Sequence, residues 1–325
     1  MQAVQLTAYG DPTKFLHEVQ LPEPHEPEPD QVLIQVDFSP VNPNDLMLAQ
    51  GIYSVHPTLP SVIGNEGVGH VIAIGTGVTD IAVGDIVLVP LHVFAWAERV
   101  IAPAKNLIKL STQADINQLA MLRINPPTAA LLLSEYVDLK PRDWIVQNAA
   151  NSGVGRAVIA FARERGIRTV NLVRRPELFD ELTAAGGDLV LLDSPDAVGI
   201  IREKTANAPI HLALDGVSGS STALLGAILS TDSTLVSYSA MSGAAMSLSP
   251  LDVIFKRITV RGFLLNDFDF ASLVRPAIEQ AAELIAMGRL HAPIAAIYPL
   301  SAIKEAVAHT LRGGKVLLEV SPGLH

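Results

Sequence analysis

The sequence predicts a two-part α/β protein: a β-rich segment followed by a doubly wound domain built on a parallel sheet. Three observations carry that prediction. The chain has 325 residues, is 49% apolar and 17% charged, and exceeds the roughly 100–200 residues of one typical domain. Its first hundred residues read as short β-segments broken by Pro and Gly. Beyond about residue 118, strand-like and helix-like runs alternate. Strands joined by helical crossovers make a parallel sheet covered on both faces.

In chain order, the opening MQAVQLTAYG alternates like a strand, and residues 31–38 (QVLIQVDF) alternate with period two. Residues 68–74 (VGHVIAI) and 85–90 (DIVLVP) are further short β-runs. Between them and the start, residues 21–29 (LPEPHEPEP) carry so many prolines that an extended surface connector is expected. Residues 143–149 (DWIVQNA) form a buried-strand run, followed by a helical pattern over 155–165. Strand-like 169–173, 188–192, 211–214 and 234–238 then alternate with helices near 177–185, 197–206 and 221–229. Residues 258–265 (ITVRGFLL) read as a late strand, 271–286 as a helix, and the tail is rich in Ile, Ala, Val and Leu. There is no internal repeat.

Composition narrows the function classes. The net charge of −10 and the lack of a Lys/Arg block disfavour nucleic acid as a partner. With no cysteine there is no disulfide, thiolate nucleophile or thiolate–metal site, although a zinc site of His and carboxylate stays formally open. No uninterrupted apolar run reaches the roughly 18 residues of a membrane span. The N-terminus lacks the basic start and apolar core of a targeting peptide. The expected compartment is therefore the cytoplasm, with another reducing compartment as the alternative.

The most informative local pattern is QNAANSGVG at 147–155, set between the best strand and the best helix. A strand-to-helix turn of small residues lets the backbone approach a pyrophosphate, and the helix N-terminus supplies free N–H groups and partial positive charge. The full G-x-G-x-x-G is absent: Ala150 and Ser152 stand at the first two glycine positions before Gly155. A turn required only for helix–strand packing is the alternative. At the end of the second strand, where an acid would hold the ribose of NAD, the chain has Arg174 and Arg175. Two guanidiniums suit a 2′-phosphate, which favours NADP(H); a pair of solvated arginines is the bland alternative. Arg156 sits in the first helical turn, opposed by the helix dipole, so either a bound pyrophosphate or surface exposure would account for it.

Taken with NPNDL (42–46), QGIY (50–53), GNEGVG (64–69), NPPTA (125–129), NLVRR (171–175) and FKRITVRGF (255–263), this turn carries a resemblance over essentially the whole chain. The chain resembles the zinc-independent medium-chain dehydrogenase/reductase superfamily, and within it the mitochondrial-type 2-enoyl thioester (enoyl-ACP/CoA) reductases, with quinone oxidoreductases next. The resemblance implies a GroES-like β-barrel substrate domain over 1–117, closed by 269–325, and an NADP-binding Rossmann domain over 118–268. It also implies that zinc is absent. Zinc-dependent relatives use Cys, the His of a G-H-E motif and a further Cys, whereas this chain has Gly64-Asn65-Glu66 and no cysteine. Glu66 is then expected to serve as a structural hydrogen-bonding group, and His70 and His92 as packing or surface residues.

The implied activity is NADPH-dependent reduction of the C=C bond of an α,β-unsaturated acyl thioester, small or carrier-bound. Hydride goes to the β-carbon, and a positioned donor lowers the energy of the enolate. By resemblance that donor is Tyr53, which taken alone is more simply a half-buried packing residue. Asn42, Asn44, Asn65, Asn125 and Thr128 are placed near substrate or nicotinamide, with turn-forming Asn as the plain alternative for the first three. The cofactor-binding set is Asn148, Asn151, Ser152, Gly153, Val154, Gly155, Arg174, Arg175 and Tyr238, with core packing an alternative for Tyr238. Leu264 and Phe268 stand where members often carry Trp, which puts acyl selectivity in question. An NADPH:quinone or enone oxidoreductase, and a non-catalytic NADPH-binding protein, are the competing readings. A homodimer through the strand near 258–265 is implied.

Overall fold

The computed structural model describes residues 1–105, 107–110 and 114–321. The chain divides into two compact units. The first comprises Met1–Ile124, Ile278–Ala286 and the chain from Ala292 onward; the second comprises Asn125–Ala277 and Met287–His291. The strands, in chain order, are β1 (Gln2–Leu6), β2 (Leu16–Gln20), β3 (Gln31–Val41), β4 (Ser61–Val62), β5 (Val68–Ile74), β6 (Ile86–Leu88) and β7 (Arg99–Pro103). They continue with β8 (Trp144–Gln147), β9 (Arg168–Val173), β10 (Leu189–Leu192), β11 (Ile210–Asp215), β12 (Thr234–Ser237), β13 (Thr259–Gly262), β14 (Ile294–Pro299) and β15 (Lys315–Glu319).

The first unit is built around β3, which pairs antiparallel with β5, β7 and β15. Its alternating residues Val32, Ile34 and Val36 are fully buried, as a strand with one face on a core requires. The sheet runs β14-β15-β3-β5-β6, and a smaller one runs β2-β1-β4. A bridge between Ala3 and Ala97 links the edges toward a barrel. One core spans both sheets, including Leu6, Ile34, Leu48, Trp96 and Val307. Gly64 lies so close under Trp96 that an added Cβ would fall 2.3 Å from the indole. Residues 21–28 adopt neither helix nor strand.

The second unit is a six-stranded sheet in the order β10-β9-β8-β11-β12-β13, with every pairing parallel. Its inner strands read as continuous buried runs because helices cover both faces. The order reverses between β8 and β11, and in such sheets ligands bind beyond the carboxyl ends of the strands at that point. The helix Gly153–Glu164 leaves β8, with Ser152 as its N-cap: Ser152 Oγ accepts from Gly155 N at 3.1 Å. It therefore begins two residues earlier than the periodicity predicts, because the cap side chain rather than the apolar pattern sets the first turn. The helix expected over 271–286 opens with a π-wound turn, Phe270–Val274, before Arg275–Ala286. Among the described residues, no helix is long and apolar enough to cross a membrane.

Candidate functional site

In the second unit the turn after β8 is shaped for close approach. A Cβ on Gly155 would lie 2.6 Å from the carbonyl oxygens of both Ala149 and Ala150, so only glycine fits. Gly153 is overlaid by Asn125, whose Nδ2 would stand 2.6 Å from an added Cβ. Ser152 Oγ occupies the Gly155 N–H, and among the described residues the N–H groups of Gly153 and Val154 have no partner. These two donors and the helix dipole are what a phosphate needs. The Val154 side chain is buried, leaving its N–H as the group it can offer.

Arg156 does not face outward. Only 9% exposed, it donates from Nε to Asn151 O at 3.2 Å and from Nη2 to Glu181 Oε1 at 2.8 Å. It braces the turn, and neither alternative offered from sequence describes it. Asn148 is likewise committed: its Nδ2 donates to Asp215 Oδ1 (2.7 Å) and Ser221 Oγ (2.8 Å), while its Oδ1 accepts from Gly216 N (2.7 Å). Asp215, at the end of β11, also accepts from Val217 N, Ser218 N and Thr222 Oγ1. This buried knot ties the ends of β8 and β11 at the switch point. Tyr238 follows β12; its hydroxyl sits over Gly216, where a Cβ would be 2.5 Å away. Burial pushes its phenol well above the usual value, opposed by the adjacent Ser152 hydroxyl.

Arg174 and Arg175 follow β9, both exposed and without an ion pair among the described residues. The β9–β10 register that pairs Val173 with Leu192 sets Arg174 beside Asp193. Burial raises the Asp193 carboxyl, which accepts from Ser221 Oγ at 2.5 Å. Thr128 is buried one turn after Asn125 in the helix Asn125–Leu132. Phe268 stacks on Phe263 (5.1 Å between centroids) and Leu264 is exposed.

In the first unit, Asn42 caps the helix Pro43–Gln50, and its N–H donates to Asp45 Oδ2 at 2.8 Å. Asn65 donates to Asp45 Oδ1 from both its backbone N (2.8 Å) and Nδ2 (2.7 Å), leaving Asn65 Oδ1 buried and unpartnered among the described residues. Glu66 Oε1 accepts from Asn42 Nδ2 at 2.6 Å, and Oε2 accepts from the N–H groups of Arg123 and Ile124. Lys315 Nζ closes the network by donating to Asn42 Oδ1 at 2.6 Å. Burial raises Asp45 to about 6 and Glu66 to about 7 and lowers Lys315; the ammonium and the two carboxylates oppose one another's shifts, while Asp45 adds to the rise of Glu66. Asn42 and Asn65 thus belong to an internal charge network. Asn44 instead hydrogen-bonds Tyr53, whose phenol burial raises.

Asp45 and Lys315 are the residues that sequence reasoning missed. The available signals were the Asn-x-x-Asp spacing of a helix start at 42–45 and a lone lysine entering the apolar run KVLLE. His70 pairs with the buried Asp37 at 2.6 Å, and His92 is exposed. Among the described residues no three His, Cys, Asp or Glu side chains group as a metal site would need.

Residues 28–112 match the alcohol dehydrogenase GroES-like domain, and residues 153–286 match the zinc-binding dehydrogenase family. The mitochondrial enoyl-[acyl-carrier-protein] reductase of Mus musculus is 33% identical over 318 residues, covering 94% of this chain and 84% of that protein. The mitochondrial 2-enoyl thioester reductase heterodimer Etr1p/Etr2p from Candida tropicalis is 26% identical, with a TM-score of 0.87 and coverage of 98% and 99%. Etr1p solved with NADP and crotonyl-CoA gives 26% and 0.88 over the same shares. Escherichia coli quinone oxidoreductase complexed with NADPH, at 22% identity and a TM-score of 0.86 over 98% and 100%, shares the fold. The cytoplasmic expectation is corrected by the Mus musculus and Candida tropicalis enoyl reductases, which are named as mitochondrial. Addresses are read by receptors from removable segments, so composition and fold do not set the compartment. Two domain models in order, and a relative one-third identical along nearly the whole chain, place it in the medium-chain dehydrogenase/reductase superfamily, as a member of the mitochondrial-type enoyl-[acyl-carrier-protein] reductase family.

Proposed function

We propose that this protein is a zinc-free, NADPH-dependent reductase of the C=C bond of 2-enoyl thioesters. The observation that carries the reading is the 33% identity to an enoyl-[acyl-carrier-protein] reductase along 94% of the chain. Etr1p, of the same fold, has been captured with NADP and crotonyl-CoA. The first unit supports a substrate domain, but it extends past the expected 1–117 to Ile124 and takes only Ile278–Ala286 and the chain from Ala292 out of the expected 269–325. Of 1–117 and 269–325, residues 106, 111–113 and 322–325 lie outside the described residues. The second unit supports a cofactor domain, starting at Asn125 rather than 118 and running on to Ala277, with Met287–His291, beyond the expected 268. The second unit fits the cofactor: Gly155 leaves room that a Cβ would fill, and Gly153 and Val154 offer free N–H groups. Arg174 and Arg175 stand exposed for a 2′-phosphate, with Asn151, Ser152 and Tyr238 around the turn and Asn148 fixing its base.

When bound, NADPH supplies the hydride that reduces the β-carbon. Tyr53 serves the thioester carbonyl, donating its hydrogen bond as negative charge develops there; burial holds the phenol protonated, against the opposing effect of Asn44, which orients it. Asn125 and Thr128 border the nicotinamide side of the turn. Asn42 and Asn65 act from behind, through the buried network. Zinc is excluded on donor chemistry: the chain has no cysteine, Asn65 stands in the G-H-E position, and Lys315 already supplies a cation to Asp45 and Glu66.

Purified protein should oxidise NADPH with crotonyl-CoA, and Tyr53→Phe should lower kcat by about a hundredfold with little change in the KM for NADPH. Turnover with a quinone but not with the enoyl thioester would favour the second reading, an NADPH:quinone oxidoreductase, for which the E. coli fold likeness speaks. Tight NADPH binding without turnover on any electrophile would favour a non-catalytic protein. A homodimer through the exposed edge strand β13 completes the proposal.

A further inference from the structure

Tyr53 sits in an irregular loop, residues 51–57, which follows the helix Pro43–Gln50. Such a segment positions a side chain only if its two ends are held. Both ends converge on Tyr9. Gly51 ends the helix in the left-handed region (φ 76°), and a Cβ added there would lie 3.2 Å from Tyr9 Cβ and 3.3 Å from its Cγ. The ring thus lies flush against the first residue of the loop. At the other end, Tyr9 Oη donates to Pro57 O at 2.6 Å. His56 meets the Tyr9 ring edge-on at 5.7 Å, and its Nε2 donates to Gly51 O at 3.2 Å. Gly10 N donates to Ala49 O at 2.9 Å, fastening the Tyr9 segment to the helix that feeds the loop.

We infer that Tyr9 is a positioning residue that straps the 51–57 loop at both ends and so sets where the Tyr53 hydroxyl stands. The inference rests on the reading of Tyr53 as the group serving the thioester carbonyl. Tyr9 is 37% exposed, yet its hydroxyl donates to a loop carbonyl. Asn44 orients the Tyr53 hydroxyl from the helix side while Tyr9 holds the loop from outside, so the catalytic phenol is fixed from two directions.

The test uses the full chain with NADPH and crotonyl-CoA, and compares Tyr9→Phe, which removes only the hydrogen bond to Pro57, with Tyr9→Ala, which removes the ring as well. Tyr9→Phe should lower kcat about tenfold, and Tyr9→Ala further, with the KM for NADPH unchanged. Amide exchange should accelerate in residues 52–56 and nowhere else in the first unit. Unchanged kcat and unchanged exchange in both variants would overturn the strap. So would faster exchange spread over the whole unit, the mark of a plain packing residue. Tyr53→Phe run alongside separates the two ideas. If that variant keeps full turnover, the role of Tyr53 is lost, while the exchange pattern still decides whether Tyr9 holds the loop.

Discussion

At the scale of single residues, the most consequential arrangement is Asp45, Glu66 and Lys315 gathered around Asn42. Two buried carboxylates beside each other cost desolvation and repulsion, and the Lys315 ammonium offsets both. Lys315→Met should destabilise the protein by about 3 kcal/mol, and adding Glu66→Gln should restore most of that loss. Urea denaturation of both variants checks this; strictly additive losses would count against it. The two carboxyls have folded values raised to about 6 and about 7, so the folded chain holds more protons than the unfolded one above their ordinary values. Their contribution to stability is therefore full at low pH and falls as pH rises through about 4 to 7. Glu66→Gln should flatten that slope. This cluster was illegible in the sequence because Lys315 and Asn42 are 273 residues apart.

At the scale of elements, the proposed choice of cofactor at the end of β9 can be tested directly. Replacing Arg174 and Arg175 together with Ser should raise the KM for NADPH at least about tenfold and leave that for NADH nearly unchanged, since the charge-assisted bonds to a 2′-phosphate are all that is removed. Equal losses with both nucleotides would point to a scaffold role instead. Elements whose own residues dictate their burial were readable. Residues 68–74 form β5 with the predicted bounds, and the alternation of strands and helices from 144 to 237 is present as expected. Others were not. β2 (LHEVQ) and β7 (RVIAP) are short, and β2 is mostly polar; they are strands because β1 and β3 lie beside them. The helix Pro250–Lys256 was missed because its seven residues put their apolar side chains outward.

At the scale of the whole molecule, those outward side chains have a meaning. Leu251 and Ile254 (63% exposed) and Phe255 (72%) flank β13, an edge strand exposed at all four residues. A parallel edge left open beside an apolar helix favours pairing with a second copy across a two-fold axis. Light scattering should give twice the chain mass, and Phe255→Asp combined with Val260→Lys should give a monomer; a wild-type monomer at micromolar concentration would refute the homodimer. From sequence alone, patterning determined the class of each layer, and the spacing of small residues determined the dinucleotide-type turn. Both are local properties, set by periodicity and by the steric room at one glycine. The tertiary structure alone decided that Asn42 and Asn65 serve a buried charge network, that Asn148 and Arg156 brace the turn from within, and that Tyr9 grips the Tyr53 loop. Those roles depend on which distant groups share a desolvated space, and hydrogen-bond partners across a core leave no periodic trace in the chain.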